Sequence, residues 1–351
     1  MLSVRAVVLA AAVVSIGMVQ VRLHGAQPSN PAANRSAHAV LDFFWSLRAG
    51  TNRHILSGQF SNFGQGANRR IMDRIHEQTG HWPAMVGVDY ADFGRGGITW
   101  EIPNKVAMEY WKLGGLVTIS AHMYNPANPQ GGGLRDKGVN LADLLESGTD
   151  INDRWVRQLD QMAAGLQQLR DAGVVVLWRP FHEMNGGWFW WGAKDTESFI
   201  RLWQHMFSYF SLDKGLDNLL WVYGPNHGAN TAKYYPGDDF VDLVGLDAYT
   251  DFIDPAHVKG FNEIAALPKP FGFTEYGPHG AQNPPGNYDY CRFIEGLQTH
   301  FPPTCFFMSW NAKWSLASNV NTKALLDDPA ILNREDLPKE LFQLNPAPGH
   351  E

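Results

Sequence analysis

Short apolar runs recur along the chain at roughly even spacing. Each is followed by polar, glycine or proline residues and then by a longer amphipathic stretch. Such runs, bounded by turn-forming residues, are typical of buried strands. They occupy residues 54–59, 84–90, 116–121, 174–178, 219–223, 243–248, 271–274 and 305–310.

The stretches between these runs show helical periodicity, most clearly in residues 153–172 and 196–210. In the first of them, apolar residues separated by three or four positions would share one helix face. These residues are Trp155, Leu159, Met162, Leu166 and Leu169. Strands alternating with helices in this way predict a parallel α/β sheet.

Eight such strands predict a (β/α)8 TIM barrel, because eight parallel strands close around a filled interior and leave no free edge. An open, doubly wound sheet is the alternative, but no Gly-x-Gly-x-x-Gly motif follows the first strand. A barrel of about 250 residues or more, preceded by a leader, would account for the 351 residues. We therefore expect one barrel domain over residues 37–345.

The two ends of the chain are predicted to lie outside this domain. Arg5 precedes an apolar segment at 6–21 that is interrupted by polar residues, so residues 1–26 are interpreted as a signal peptide rather than a membrane span. A stretch at 27–36, rich in proline, alanine and asparagine in its first part, is expected to be a linker, and 346–351 a tail. We expect a secreted protein, extracellular or periplasmic.

Composition restricts the partners. The net charge is -7, without a basic block, which argues against nucleic acid and anionic membrane surfaces. Aromatic residues make up 13% of the chain and include 13 Trp. A large core would account for them, and so would a surface on which sugar rings stack. We expect a monomer.

The chain has two cysteines, Cys291 and Cys305. In an exported protein such a pair favours one disulfide, and two free thiols are the alternative.

The fourth predicted strand ends in a cluster of polar side chains. Arg179, His182, Glu183 and Asn185 follow directly on an apolar run, at the barrel position where functional groups gather. An Arg–Glu ion pair capping the barrel would leave the histidine, the asparagine and the nearby aromatics unexplained. A zinc-protease motif would need a second histidine at Gly186, so that interpretation fails.

Glu275 ends the seventh predicted strand. Strands four and seven lie on roughly opposite sides of an eight-stranded barrel mouth, so Glu183 and Glu275 are expected to face each other. Two opposed carboxyl groups are what glycosidic cleavage requires, one as acid and one to meet the oxocarbenium-like centre. Sequence alone leaves open whether their spacing gives retention or inversion.

These two strand ends resemble those of glycoside hydrolase family 26, and the resemblance extends from about Ala37 to about Leu344. In that family a histidine precedes the acid/base, as His182 does here. The resemblance implies a retaining mechanism with Glu183 as acid/base and Glu275 as nucleophile.

The same resemblance implies substrate-binding roles for further residues. Arg179 would keep the nucleophile ionised and Tyr249 would hydrogen-bond to it, while His122 would contact sugar hydroxyls. Trp188 and Trp310 would line the sugar cleft. Trp190, Trp191 and Trp314 are equally compatible with cleft and core, and Asp89, Tyr90 and Asp92 are further cleft candidates.

The family resemblance favours cleavage of internal β-1,4-mannosidic linkages in mannan, glucomannan or galactomannan. A β-1,3-1,4-glucanase, a β-1,3-xylanase and a non-catalytic carbohydrate-binding barrel are the alternatives. A metal-dependent barrel hydrolase would need a His-x-His pair after the first strand, where the chain has Ser57-Gly58-Gln59-Phe60. No cofactor and no metal are expected.

Overall fold

The computed structural model describes residues 27–51, 53–91, 97–278 and 286–343. Its centre is a closed parallel barrel in which each strand pairs with the next and the last pairs with both the seventh and the first. The predicted (β/α)8 barrel is confirmed. The strands are β1 (Gly58–Phe63), β2 (Met85–Asp89), β3 (Leu116–Ser120), β4 (Val176–Arg179), β5 (Leu219–Tyr223), β6 (Leu243–Tyr249), β7 (Phe271–Gly277) and β8 (Thr304–Ser309).

The first predicted strand is divided in the structure. Ile55–Leu56 pairs with Ile331–Leu332 beside the barrel, and β1 begins only at Gly58. A Cβ at Gly58 would collide with the backbone oxygen of Phe307, so glycine allows β1 to approach β8 closely at this point. β1 then continues past the predicted end at residue 59 as far as Phe63.

Helices surround the barrel and cover its strands. The long α4 buries all five of the residues predicted to share one face, because that apolar stripe packs on the sheet. Several helices begin at a side chain that accepts a backbone N–H, as Thr149 does for Asn152 and Asp195 for Ser198. The helices are α1 (Arg35–Ala49), α2 (Arg70–Thr79), α3 (Glu101–Lys112), α4 (Asp150–Asp171), α5 (Thr196–Ser208), α6 (Phe261–Ala265), α7 (Tyr290–His300) and α8 (Thr322–Leu326).

The segment predicted as a linker is instead part of the domain from Ser29 onward. The backbone N–H and the hydroxyl of Ser29 donate to Asp242 at 2.6 and 2.9 Å, and Asn30 donates to the carbonyl of Leu216 at 3.1 Å. Asn34 then caps α1. The linker prediction is wrong here because serine and asparagine serve as hydrogen-bonding caps as readily as they form flexible chain.

The predicted signal peptide and C-terminal tail lie outside the described residues. Within the described ranges, we find no helix with both the length and the apolar character needed to cross a bilayer.

The predicted disulfide is wrong, since Cys291 and Cys305 are both free. Cys291 lies in the first turn of α7, and Cys305 lies near the start of β8. The helix between them carries the chain about 14 Å along its axis, whereas a disulfide requires Cα atoms roughly 4.4–6.8 Å apart. The Cys305 thiol instead faces the carbonyl of Phe44 on α1, at 3.8 Å.

Candidate active site

A cleft of about 700 Å³ opens at the mouth of the barrel where the strands end. Seven of the eight residues predicted for the site line it, and the eighth, Arg179, is buried and contacts two carboxylates in the site. The seven are His122, His182, Glu183, Trp188, Tyr249, Glu275 and Trp310. The strand-end residues predicted from the sequence therefore lie in one cleft, although they are up to 188 positions apart, counting from 122 to 310.

Glu183 and Glu275 meet across this cleft. Glu275 lies within β7, and Glu183 lies in the turn that follows β4. Ligand oxygens of Glu183, Glu275 and Asp247 all lie within 4.8 Å of one another. The two glutamates are therefore close enough to act on one bond.

The turn that presents Glu183 is strained and firmly held. Phe181 and Glu183 both have positive φ angles, 49° and 56°, which non-glycine residues rarely adopt. The N–H of Glu183 donates to the carbonyl of Gly224 at 2.8 Å, and the Trp191 indole donates to the carbonyl of His182 at 2.8 Å. Backbone strain of this kind occurs mainly where the surrounding structure fixes a functional side chain.

Glu275 is surrounded by groups that favour its charged form. The Arg179 guanidinium donates to one carboxylate oxygen, and the Tyr249 hydroxyl donates to the other at 2.7 Å. Burial by itself would lower the pKa of Arg179, but Asp247 and Glu275 raise it above its ordinary value. A permanent cation therefore faces Glu275.

Glu183 has a different environment. Burial, followed by the negative charge of Glu275, raises the pKa of Glu183 to about 7. The Trp188 indole acts in the opposite direction, since it donates to Glu183 Oε2 at 2.5 Å and so favours the charged carboxylate. The two glutamates thus lie in different environments, as paired carboxyl groups with separate roles require.

Trp188→Phe is expected to move the alkaline limb of the pH–activity profile upward. The predicted role of Glu183 as acid requires its protonated form, so wild-type activity should fall as the pH rises through about 7. Removing the indole N–H destabilises the carboxylate and raises the pKa further, which should shift the limb by about one pH unit. The measurement is kcat against pH.

Trp310→Phe is the matched control, because Trp310 lines the same cleft but stacks on Phe60 with ring centroids 4.0 Å apart. Its alkaline limb should stay in place. Equal movement in both variants would contradict the assignment of the limb to Glu183.

Asp247 is a functional residue that the sequence analysis did not single out. It is fully buried in β6 and pairs with Glu275 in the register of β6 and β7. One carboxylate oxygen accepts from Arg179 at 2.8 Å and the other from Thr274 at 2.6 Å. An acidic residue inside an apolar strand was the signal that could have found it.

Arg179→Met is expected to destabilise the fold by about 3–5 kcal/mol at neutral pH, because two buried carboxylates lose their cation. The loss should shrink at acidic pH, because burial raises the pKa of Asp247 well above its ordinary value and protonation of this carboxylate removes uncompensated charge. Denaturant unfolding at about pH 7 and pH 4.5 would measure both effects. Arg170→Met, which removes an exposed pair with Asp171, should cost less than about 1 kcal/mol. A similarly small loss of stability for Arg179→Met would contradict the role of Arg179 as the cation that compensates the buried carboxylates.

Among the described residues, Glu183, Asp247 and Glu275 form the group of acidic side chains close enough to share one cation. The Arg179 guanidinium already contacts two of the three. Arg179 thus supplies one positive charge to this group.

Two histidines lie side by side in the cleft. The Nε2 atoms of His122 and His182 are 3.0 Å apart, and His122 Nδ1 lies 2.8 Å from Asp89. Asp89 is buried behind the cleft. Tyr90 is also buried, and its hydroxyl donates to Asn104 at 2.6 Å. The predictions of Asp89 and Tyr90 as cleft residues are wrong, because neither lines the cleft, and Asp92 lies outside the described residues.

The tryptophans whose roles were left open divide between core and cleft. Trp190 and Trp191 are fully buried and donate their indole N–H groups to backbone carbonyls. Trp314 lines the cleft and packs edge-on against Tyr249 at a centroid distance of 6.2 Å. Local sequence does not distinguish these roles because all three follow a strand end.

Several lining residues were missed by the sequence analysis. Some follow strands closely, as Asn226 and His227 follow β5, and the strand-end rule could have identified them. Others come from less regular positions, such as Arg135 in the loop after β3. The missed residues are Phe63, Arg135, Phe189, Asn226, His227 and Asn311.

Comparison with known proteins agrees with this geometry. Residues 29–336 match the sequence profile of glycosyl hydrolase family 26. A mannan endo-1,4-beta-mannosidase from Bacillus subtilis (strain 168) is 37% identical over 337 residues, which span 90% of this chain and 91% of that protein.

Solved structures show the same likeness. A Bacillus subtilis mannanase superimposes with a TM-score of 0.81 at 37% identity, covering 89% of this chain and 96% of that one. A beta-mannanase from a symbiotic protist of the termite Reticulitermes speratus, complexed with gluco-manno-oligosaccharide, gives a TM-score of 0.72 at 27% identity, covering 89% and 97%.

Proposed function

Because this chain belongs to glycosyl hydrolase family 26, we propose that it is a retaining endo-β-1,4-mannanase with Glu275 as nucleophile and Glu183 as acid/base. One observation carries the assignment: two opposed carboxyl groups with oxygens within 4.8 Å of each other. Retaining enzymes place these groups about 5–5.5 Å apart, whereas inverting enzymes leave roughly 6.5–9.5 Å for a water molecule.

In the first step, Glu183 donates its proton to the glycosidic oxygen while Glu275 attacks the anomeric carbon. The bond to the leaving sugar breaks, and a covalent glycosyl ester forms on Glu275. Arg179 and Tyr249 keep the attacking carboxylate ionised and oriented.

The second step reverses these roles. Once Glu275 is esterified, its negative charge no longer raises the pKa of Glu183, so Glu183 becomes a stronger acid and stays ionised. It can then take a proton from the incoming water, which attacks the anomeric carbon and releases the sugar with its original configuration. The change in the charge of Glu275 thus drives the change in the role of Glu183.

Mannan is the proposed substrate because the relatives named above are mannanases. Trp188, Trp310 and Trp314 provide flat apolar surfaces along the cleft, and His122 and His182 provide polar contacts for the sugar at the cleaved bond. We also propose that the protein is exported, on the basis of its N-terminal sequence, and that it is a monomer. N-terminal sequencing and size-exclusion chromatography of protein from the culture medium test this part.

A polysaccharide panel tests the proposed substrate: mannan, galactomannan, glucomannan, mixed-linkage glucan and β-1,3-xylan. We expect the highest kcat/KM on the mannose polymers, a rapid fall in viscosity, and mixed oligosaccharides as early products. Newly released ends should first appear as the β-anomer by NMR. Faster hydrolysis of mixed-linkage glucan or β-1,3-xylan, or an α-anomer first, would refute the proposal. Glu275→Gln prepared in parallel controls for contaminating activity.

A further inference from the structure

Asp89, at the end of β2, is a buried carboxylate joined to the cleft through a histidine. One oxygen accepts from the Ser120 hydroxyl at 2.5 Å and from His122 Nδ1 at 2.8 Å. The other accepts from the backbone N–H groups of Ala91 at 2.7 Å and His122 at 3.0 Å. Three of the four partners, the two backbone N–H groups and the Ser120 hydroxyl, donate to Asp89, which favours an ionised carboxylate.

This arrangement fixes where the proton of His122 must be. Burial by itself would raise the pKa of Asp89, but His122, Ser120 and Ala91 lower it below its ordinary value. An ionised carboxylate only accepts hydrogen bonds, so the Nδ1 atom of His122 carries a proton.

The second histidine is coupled to the first. The Nε2 atoms of His122 and His182 are 3.0 Å apart, so one of them donates and the other accepts. Burial, and then the neighbouring His122 and Arg179, lower the pKa of His182 well below its ordinary value. His182 is therefore a neutral ring with a single proton to place. Its Nδ1 atom is buried and has no hydrogen-bond partner among the residues that the structure describes.

We propose that Asp89 is a positioning residue that fixes the tautomers of both histidines. With Nδ1 of His122 protonated by its contact with Asp89, the Nε2 lone pair of His122 accepts from Nε2–H of His182. His182 Nδ1 then offers a lone pair rather than a proton. This proposal rests on the proposed function, because there His182 contacts the sugar at the cleaved bond.

Asp89→Asn should reverse the whole chain. The amide oxygen must face the two backbone N–H groups of Ala91 and His122, which leaves the NH₂ group facing His122 Nδ1. That nitrogen must then accept, so His122 donates from Nε2, His182 accepts at Nε2, and the His182 proton moves to Nδ1. The side chains barely change in size, while the hydrogen bond from residue 89 to His122 and the one between the two histidines both reverse direction.

The test is ¹⁵N NMR of histidine-labelled protein at about pH 8, where an ordinary imidazole carries one ring proton. Signals are assigned by their loss in His122→Gln and His182→Gln. We expect Nδ1–H in His122 and Nε2–H in His182 for the wild type, and the reverse for Asp89→Asn. A wild-type His182 protonated at Nδ1 would overturn the proposal, and this result needs no Asp89 variant to fold.

Kinetics supply the second readout. Asp89→Asn should lower kcat/KM on mannan by about 10- to 100-fold, because polar contacts in the buried pair are mismatched. Ser120→Ala removes a donor to the same carboxylate and should keep the wild-type tautomers with a loss below about 10-fold. Inverted tautomers with unchanged kcat/KM would overturn the proposal. A wild type inactive on mannan would instead refute the proposed function, while the spectra would still report the tautomers.

Discussion

Replacing Glu275 by alanine is expected to lower kcat on mannan by at least about 10⁴-fold, because no covalent intermediate can form without the nucleophile. The variant should still bind oligosaccharide, since the aromatic cleft and the histidine pair remain. Initial rates on mannan and calorimetric titration with mannooligosaccharides would measure the two properties separately.

Azide provides a sharper test of Glu275. It can enter the space left by the carboxylate and attack an activated mannoside from that face in a single displacement. The product should therefore be an α-mannosyl azide, with inverted configuration. A β-azide, or near-wild-type activity in the variant, would remove Glu275 from the role of nucleophile. Glu263→Ala, a change on α6 outside the cleft lining, is the control and should leave kcat unchanged.

The second large effect is expected at Glu183. Loss of the acid in Glu183→Ala should slow hydrolysis of mannan by about 10²–10⁴-fold. Aryl mannosides with good leaving groups should be affected much less, because their departure needs little protonation. For these substrates the second step becomes limiting, since water has lost its general base, and the glycosyl ester should accumulate on Glu275.

Azide distinguishes Glu183 from Glu275. In Glu183→Ala it attacks the glycosyl ester from the face opposite Glu275, so a β-mannosyl azide with retained configuration should form and turnover should recover. The alkaline limb of the pH profile should also disappear, because Glu183 is the group whose pKa lies at about 7. An unchanged rate on mannan, or an α-azide, would contradict the assignment.

The different positions of the two carboxyl groups explain why these predictions differ. Glu275 is fixed by two hydrogen-bond donors within the barrel, Arg179 and Tyr249. Glu183 extends from a strained turn and accepts a hydrogen bond from the Trp188 indole. The surroundings of Glu275 stabilise a negative charge, whereas those of Glu183 allow it to be protonated. This is the distinction between a nucleophile and an acid.

Local sequence patterns were sufficient for the architecture. Apolar runs at strand spacing and a five-residue stripe on α4 are properties of neighbouring residues, so they can be read without knowing any long-range contact. The positions of Glu183 and Glu275 followed from the same information, because parallel strands bring all of their carboxyl ends to one mouth.

Local composition gave wrong predictions where the same residue types are compatible with two different structures. Serine and asparagine near Ser29 were interpreted as a linker but dock on Asp242. Cys291 and Cys305 were close enough in sequence for a disulfide, yet the direction of α7 separates them. In both cases the outcome depends on where a distant segment lies.

The sequence by itself determined the barrel, the two glutamates and the family, since each is encoded in short motifs placed at regular intervals. Only the tertiary structure determined which charged and polar side chains contact one another in the site. Arg179 and Glu275 are 96 positions apart, and Asp89 and His122 are 33 apart. Such contacts depend on strand register and side-chain direction, because a shift of one residue turns a strand side chain to the opposite face.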